Sequence, residues 1–165
     1  MKVLSLLLLW LALSLTTSAA DPGRDEIAEV KVLVYHATDG DPSVAGEKAV
    51  EVSEETASWL ASKESLKFEH YRLLGSDLKP LFRSYENWAQ PIGGSDEILC
   101  RFEVASRLSK ESVRIDLELW LSRKKILKSG VVLTSGKPVL VLGPEWRGGR
   151  MIVSVELAPT ANKGQ

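Results

Sequence analysis

Ser112-Val113-Arg114-Ile115-Asp116-Leu117-Glu118-Leu119-Trp120-Leu121 is the stretch that decides the fold class. Val113, Ile115, Leu117, Leu119 and Leu121 alternate without a break with Ser112, Arg114, Asp116, Glu118 and Trp120. A strand points successive side chains to opposite faces, so this order makes one apolar and one polar face; wound as a helix, the same leucines would be smeared around the circumference. A few residues upstream, Ile98, Cys100, Phe102 and Val104 share one face against Glu97, Arg101 and Glu103. Both segments read as antiparallel strands with one wet face.

Further out the patterns are less regular. Val30 to His36 sets Val30, Val32 and Val34 together with Leu33 and Tyr35 behind them, which fits a central strand covered on both faces. Leu66–Leu74 and Pro80–Trp88 are aromatic-rich and extended, with Pro80 pointing to an edge or a strand start. Between them Gly75-Ser76-Asp77 reads as a turn. Lys125–Leu133, Pro138–Leu142 and Arg150–Leu157 are β-branched or leucine runs. Their separators, Ser135-Gly136 and Glu145-Trp146-Arg147-Gly148-Gly149, have hairpin chemistry, as have Gly93-Gly94-Ser95-Asp96 and Ser122-Arg123-Lys124. One helix is expected over roughly Glu54–Glu64, capped by Ser53, with Glu54 and Glu55 at the positive end of its dipole and Ala57, Leu60 and Ala61 on one stripe. The expected fold is mainly β (α+β), an antiparallel β-sandwich or curled sheet of about seven or eight strands with one packed helix.

The chain has 165 residues, and its first 20 have the make-up of a secretory signal. Lys2 supplies the positive start, and Val3 to Leu15 is apolar except for Ser5 and Ser14, short of the roughly 20 residues that span a bilayer. Ser18 and Ala20 place small residues at a cleavage site before Asp21. Residues 1–20 are therefore expected to be a signal peptide cleaved after Ala20, 21–158 one β-rich domain and 159–165 a flexible tail. The alternative is an uncleaved N-terminal anchor. No later segment is apolar for long enough to span a membrane as a helix, so the expected product is exported, periplasmic or extracellular. Lys2 is the only charge in the leader, which leaves 20 basic against 22 acidic residues, a formal charge of −2. That balance argues against nucleic acid as a partner, because phosphate binding needs a basic excess or stripe. The basic run Arg123-Lys124-Lys125 with Lys128 reads as a solvated turn.

Catalytic and metal chemistry has little to draw on. The chain has two histidines, His36 and His70, with no metal-ligand spacing between them, and both read as structural residues at a strand end or on a wet face. Asp39-Gly40-Asp41 lacks the remainder of a calcium loop and reads as a turn. Gly75-Ser76 and Gly94-Ser95 do not make a G-x-S-x-G nucleophile elbow. Cys100, on the apolar face of its strand, reads as a small buried hydrophobe, and a lone cysteine makes no internal disulfide. No catalytic residue, metal or cofactor is assigned. The aromatic residues carry the binding expectation: Tyr85, Trp88, Trp120 on the charged face of its strand, and Trp146 beside Arg147. Rings of this kind stack on sugars or anchor protein partners when exposed. The expected function is a non-catalytic interaction or accessory module of the cell envelope whose partner is an envelope protein. The alternatives are a carbohydrate-binding module that takes a surface polysaccharide, and a hydrolase, which needs His36, His70 and an acidic side chain to converge.

From Val30-Lys31-Val32-Leu33-Val34 to Ile152-Val153-Ser154-Val155 the chain resembles a group of small uncharacterised exported bacterial β-rich proteins. The likeness includes an aromatic strand similar to Phe68-Glu69-His70-Tyr71-Arg72-Leu73-Leu74 and a late glycine turn. Gly136-Lys137-Pro138-Val139-Leu140-Val141-Leu142-Gly143 is similar to a β-hairpin near the end of secretin pore domains, with Leu142 in place of the first glycine of a pair. The secretin resemblance implies a related hairpin and no pore.

Overall fold

The computed structural model describes residues 21–93, 95 and 97–158. The expected leader, the expected tail, and Gly94 and Asp96 of the glycine turn lie outside the described residues. Within them nine strands run in chain order: β1 Glu26–Thr38, β2 Val50–Glu51, β3 His70–Phe82, β4 Asn87–Ala89, β5 Ile98–Arg107, β6 Ser112–Leu121, β7 Lys124–Thr134, β8 Val139–Trp146 and β9 Gly149–Leu157. They form a five-stranded sheet, ordered β2-β3-β1-β9-β8, and a four-stranded sheet, ordered β4-β5-β6-β7, with every pairing antiparallel. Val30, Val32 and Val34 of β1 and Met151, Val153 and Val155 of β9 share one core with Cys100 and Phe102 of β5 and Val113, Ile115, Leu117 and Leu119 of β6. This is the sandwich that the alternation in β5 and β6 predicts.

β1 is central, between β3 and β9, and from Val34 to Thr38 both of its faces are buried. On the face away from the second sheet, Tyr35 and Ala37 pack with Ile152, Tyr71, Leu60 and Leu66. Leu60 belongs to α1, Glu54–Ala61, the single α-helix among the described residues. Its cap is the expected one, with the Thr56 amide donating to Ser53 Oγ at 3.2 Å. The helix stops three residues before the expected Glu64, where the Ser62 hydroxyl donates to the Trp59 carbonyl at 2.6 Å. A 3-10 turn, Glu64–Leu66, then returns Leu66 to the core, and Tyr71 Oη closes the connection by donating to the Leu66 carbonyl and accepting from the Phe68 amide.

The structure corrects the expected break at Gly75-Ser76-Asp77. These residues lie inside β3, which runs unbroken from His70 to Phe82 and leaves Asn87–Ala89 as a separate short strand. Two features make the glycine compatible with a strand. Gly75 sits at a register shift opposite Val34, and the backbone of Pro91 crosses it so closely that a Cβ would lie 2.1 Å from the Pro91 carbonyl oxygen. Asp77 ties down the same crossing by accepting from the Gln90 amide at 2.8 Å. Pro80 is tolerated within β3 because β2 reaches only Arg72 and Leu73, so that β3 is an edge strand at Pro80. The expected five-residue separator Glu145–Gly149 narrows to a two-residue turn, since Trp146 pairs with Gly149 while Arg147 and Gly148 take φ of 46° and 69°.

Gly75→Ala is expected to cost about 1–3 kcal/mol in urea unfolding, because Pro91 and β3 must move apart. Gly93→Ala, where an added Cβ meets nothing within 4 Å, is expected to leave the midpoint almost unchanged. Equal midpoints for the two variants would rule out the close crossing.

Candidate functional site

Among the described residues no helix lies on the outer face of the four-stranded sheet, because α1 packs on the other sheet. The strand register sets Trp88 opposite Arg101, Arg101 opposite Glu118 and Glu118 opposite Lys128, so that β4 to β7 contribute one row across that face. In the adjacent row Trp120 lies opposite Lys125. The two indoles meet at 5.8 Å between ring centroids and 52° between planes. Trp88 is 41% exposed, whereas one face of Trp120 is covered by the Lys125 ammonium 5.4 Å from the ring centre.

Glu118 is the hub of this face. Although it points away from the core, it is 4% exposed, so the face expected to be wet is closed over at its centre. Its carboxylate accepts from Lys125 Nζ at 3.1 Å and from Trp120 Nε1 at 3.2 Å, with Arg101 Nη1 at 3.6 Å and Lys128 Nζ at 3.7 Å. The Lys125 bond is the main cause that holds this carboxyl below its ordinary range, aided by Trp120 and Arg101. Arg101 is held from its other side by Glu86 and by Glu103 at 3.0 Å. The bond to Arg101 likewise lowers the Glu86 carboxyl. Acids and bases here are paired with one another. Two apolar side chains of this face stay open for an external contact, the ring of Trp88 on β4 and, opposite Arg114, Val132 on β7.

The other candidate residues are placed elsewhere. Tyr85 is exposed, donates to the Asp21 carboxylate and lies 5.7 Å from the Arg24 guanidinium, so it pins the start of the described chain. Asp21 raises the Tyr85 phenol, and its own carboxyl is lowered chiefly by the same bond. Trp146 and Arg147 stack at 4.3 Å at the tip of the β8–β9 hairpin. Trp146 Nε1 donates to Glu97 at 2.7 Å, its ring meets His36 edge-on at 5.7 Å, and both Trp146 and Arg147 border a cleft of about 440 Å³. The structure thus joins Trp88 to Trp120 and Trp146 to Arg147, and leaves Tyr85 apart. Sequence reasoning missed Glu118, Arg101 and Glu86 as an organised group. Their opposite charges on facing strands become a signal only when the register is known.

His36 corrects its expected place at a strand end or on a wet face. It lies within β1, fully buried, with Nε2 donating to the Trp146 carbonyl at 3.2 Å, while His70 is exposed at the start of β3. Gly149 makes room for the ring, since a Cβ there would lie 2.5 Å from His36 Nε2. Asp41 accepts from the amide and hydroxyl of Ser43, which is turn chemistry, whereas Asp39 accepts from the Glu69 amide 30 residues on and ties the end of β1 to the start of β3. Cys100 is fully buried, and burial pushes its thiol up to about 12.

A carboxyl lowered in the folded state adds stability that is complete above its unfolded value, 4.5 for glutamate, and fades as the pH falls through the folded value. Glu118→Gln is therefore expected to lower the urea midpoint at pH 7 and to flatten its decline between pH 5 and pH 3. An acid limb as steep as that of the unmodified chain would remove Glu118 as a linked group. Among known proteins the chain matches no protein-family model, no curated sequence and no solved structure.

Proposed function

We propose that the chain is a non-catalytic interaction module of the cell envelope that binds a protein partner through the outer face of the β4–β7 sheet, with Trp88 as the anchor. The observation that carries this reading is the exposed Trp88 ring on an uncovered sheet face, next to charges that are already paired. Tryptophan is among the residues most often found as binding hot spots, and Trp88 lies on the edge strand β4 with Arg101 and Trp120 beside it. The paired charges fix the surroundings of the ring and lower the ordering cost of association. Export is supported by the leader-like order of Met1–Ala20, and the resemblance to small exported β-rich proteins agrees with it.

A carbohydrate reading rests on the same ring, because a sugar face stacks on exposed indole. The 52° tilt between Trp88 and Trp120, and the Lys125 ammonium over Trp120, leave no flat two-ring platform, which favours a protein partner.

Affinity capture from envelope extract with the unmodified chain and with Trp88→Ala is the test. One partner is expected to be retained by the former and lost by the latter, a loss of about 2 kcal/mol in affinity, with circular dichroism and urea midpoint unchanged. Saturable quenching of tryptophan fluorescence by a polysaccharide, with no protein captured, would transfer the face to carbohydrate. Turnover by the isolated chain with neither partner would overturn both.

A further inference from the structure

A sheet edge offers a row of unpaired backbone groups, and proteins guard such edges with short strands, lysines or prolines. Three edges of this sandwich are guarded in these ways. β2 has two residues and β3, the edge beyond it, carries Asp77, Lys79 and Pro80; β4 has three residues, and β7 carries Lys124, Lys125 and Lys128. The fourth is different. Among the described residues β8 pairs with β9 and no other strand, and although a register shift and Pro144 follow, its regular stretch Val139-Leu140-Val141-Leu142 holds no charge and no proline, with Leu142 36% exposed. Beside it, on the outer face of the five-stranded sheet, Trp59, Pro138, Leu140 and Leu142 border an open groove of about 550 Å³.

We propose that β8 pairs with β8 of a second copy of this chain, antiparallel about a two-fold axis at Val141, to make one continuous sheet across both copies. Such an axis sets Leu140 of one copy opposite Leu142 of the other and Val139 opposite Gly143. It uses the whole stretch between Pro138 and Pro144, the two residues whose missing N–H groups end a ladder. It also brings Lys137 of one copy to Glu145 of the other, twice over. Lys137 is exposed, and the Glu145 side chain is 87% exposed, 4.0 Å from Arg150. An axis one residue away, at Leu140 or Leu142, shortens the uninterrupted stretch and separates Lys137 from Glu145. The self-complementary pattern of charge is what selects a second copy over a foreign strand. A two-fold pair consumes the open edge on both copies, so the assembly closes at two and does not grow into a fibre. The Leu140–Leu142 contacts join the two grooves into one apolar strip across the seam. The contact lies on the sheet opposite the Trp88 face and does not depend on the function proposed for that face.

Sedimentation velocity of the purified chain over a concentration series is expected to show a monomer–dimer equilibrium. Lys137→Glu and Glu145→Lys are each expected to weaken it about tenfold or more, and the double exchange to restore it. Val141→Cys, oxidised with copper phenanthroline, is expected to give a disulfide-linked dimer, since residues opposite one another in an antiparallel pair lie within disulfide reach. Val139→Cys, facing a glycine, is expected not to, and the native Cys100 is buried and does not contribute. Far-UV circular dichroism confirms that each variant is folded. A monomer at every concentration overturns the proposal, including one that captures an extended peptide along β8. So does a dimer indifferent to both charge reversals in which Val139→Cys cross-links as readily as Val141→Cys.

Discussion

A strand that is apolar on both faces must be covered on both sides, and β1 imposes that requirement on the rest of the molecule. Val30, Val32 and Val34 face one way and Leu33, Tyr35 and Ala37 the other. Each large apolar side chain removed from water contributes about 1.5–3 kcal/mol, so leaving either face of β1 open would forfeit several such terms at once. The second sheet closes one side and α1 with its following turn closes the other. With the middle of the five-stranded sheet covered on both faces, the open surfaces that remain among the described residues include the outer face of the four-stranded sheet, the groove beside α1 and the sheet edges. The binding surfaces are what this layering leaves over.

The outer face of the four-stranded sheet shows how a charge can sit where water is scarce. An isolated carboxylate is costly to remove from water, and Glu118 offsets that cost with two lysines, an arginine and an indole N–H. Those groups come from different strands, so the network also locks the register of β5, β6 and β7. Since its charges are mutually paired, the face has little net field with which to steer a ligand, and recognition there depends on the shape and apolar area around Trp88.

Trp146 holds the two layers together at one end of the sandwich. Its position at the last residue of β8 lets the indole N–H reach Glu97 just before β5, while its carbonyl receives the buried His36 of β1. Arg147, at positive φ, stacks over the same ring. A residue other than glycine pays for that backbone conformation, and here the stacked guanidinium offsets part of the cost. The hairpin tip is therefore a plug between sheets rather than a free loop, which is why Trp146 does not join the Trp88 face.

Alternation along β5 and β6, the doubly apolar β1, the Ser53 cap and the burial of Cys100 were legible in the chain because each is a local pattern that a strand or helix turns directly into a face. Gly75-Ser76-Asp77 was not, because its composition is that of a turn. Only the crossing of Pro91, far away in sequence, explains why a glycine is needed inside a strand. The candidate surface divides along the same line. That Trp120 lies on the charged side of β6 follows from period two, but its meeting with Trp88, the enclosure of Glu118, the removal of Trp146 to another end and the exposure of the β8 edge all depend on register and layer order. Period and capping act over a few residues and belong to the amino-acid order itself. Register and coverage are set by which distant faces pack together, and that is decided when the two sheets and the helix close around β1.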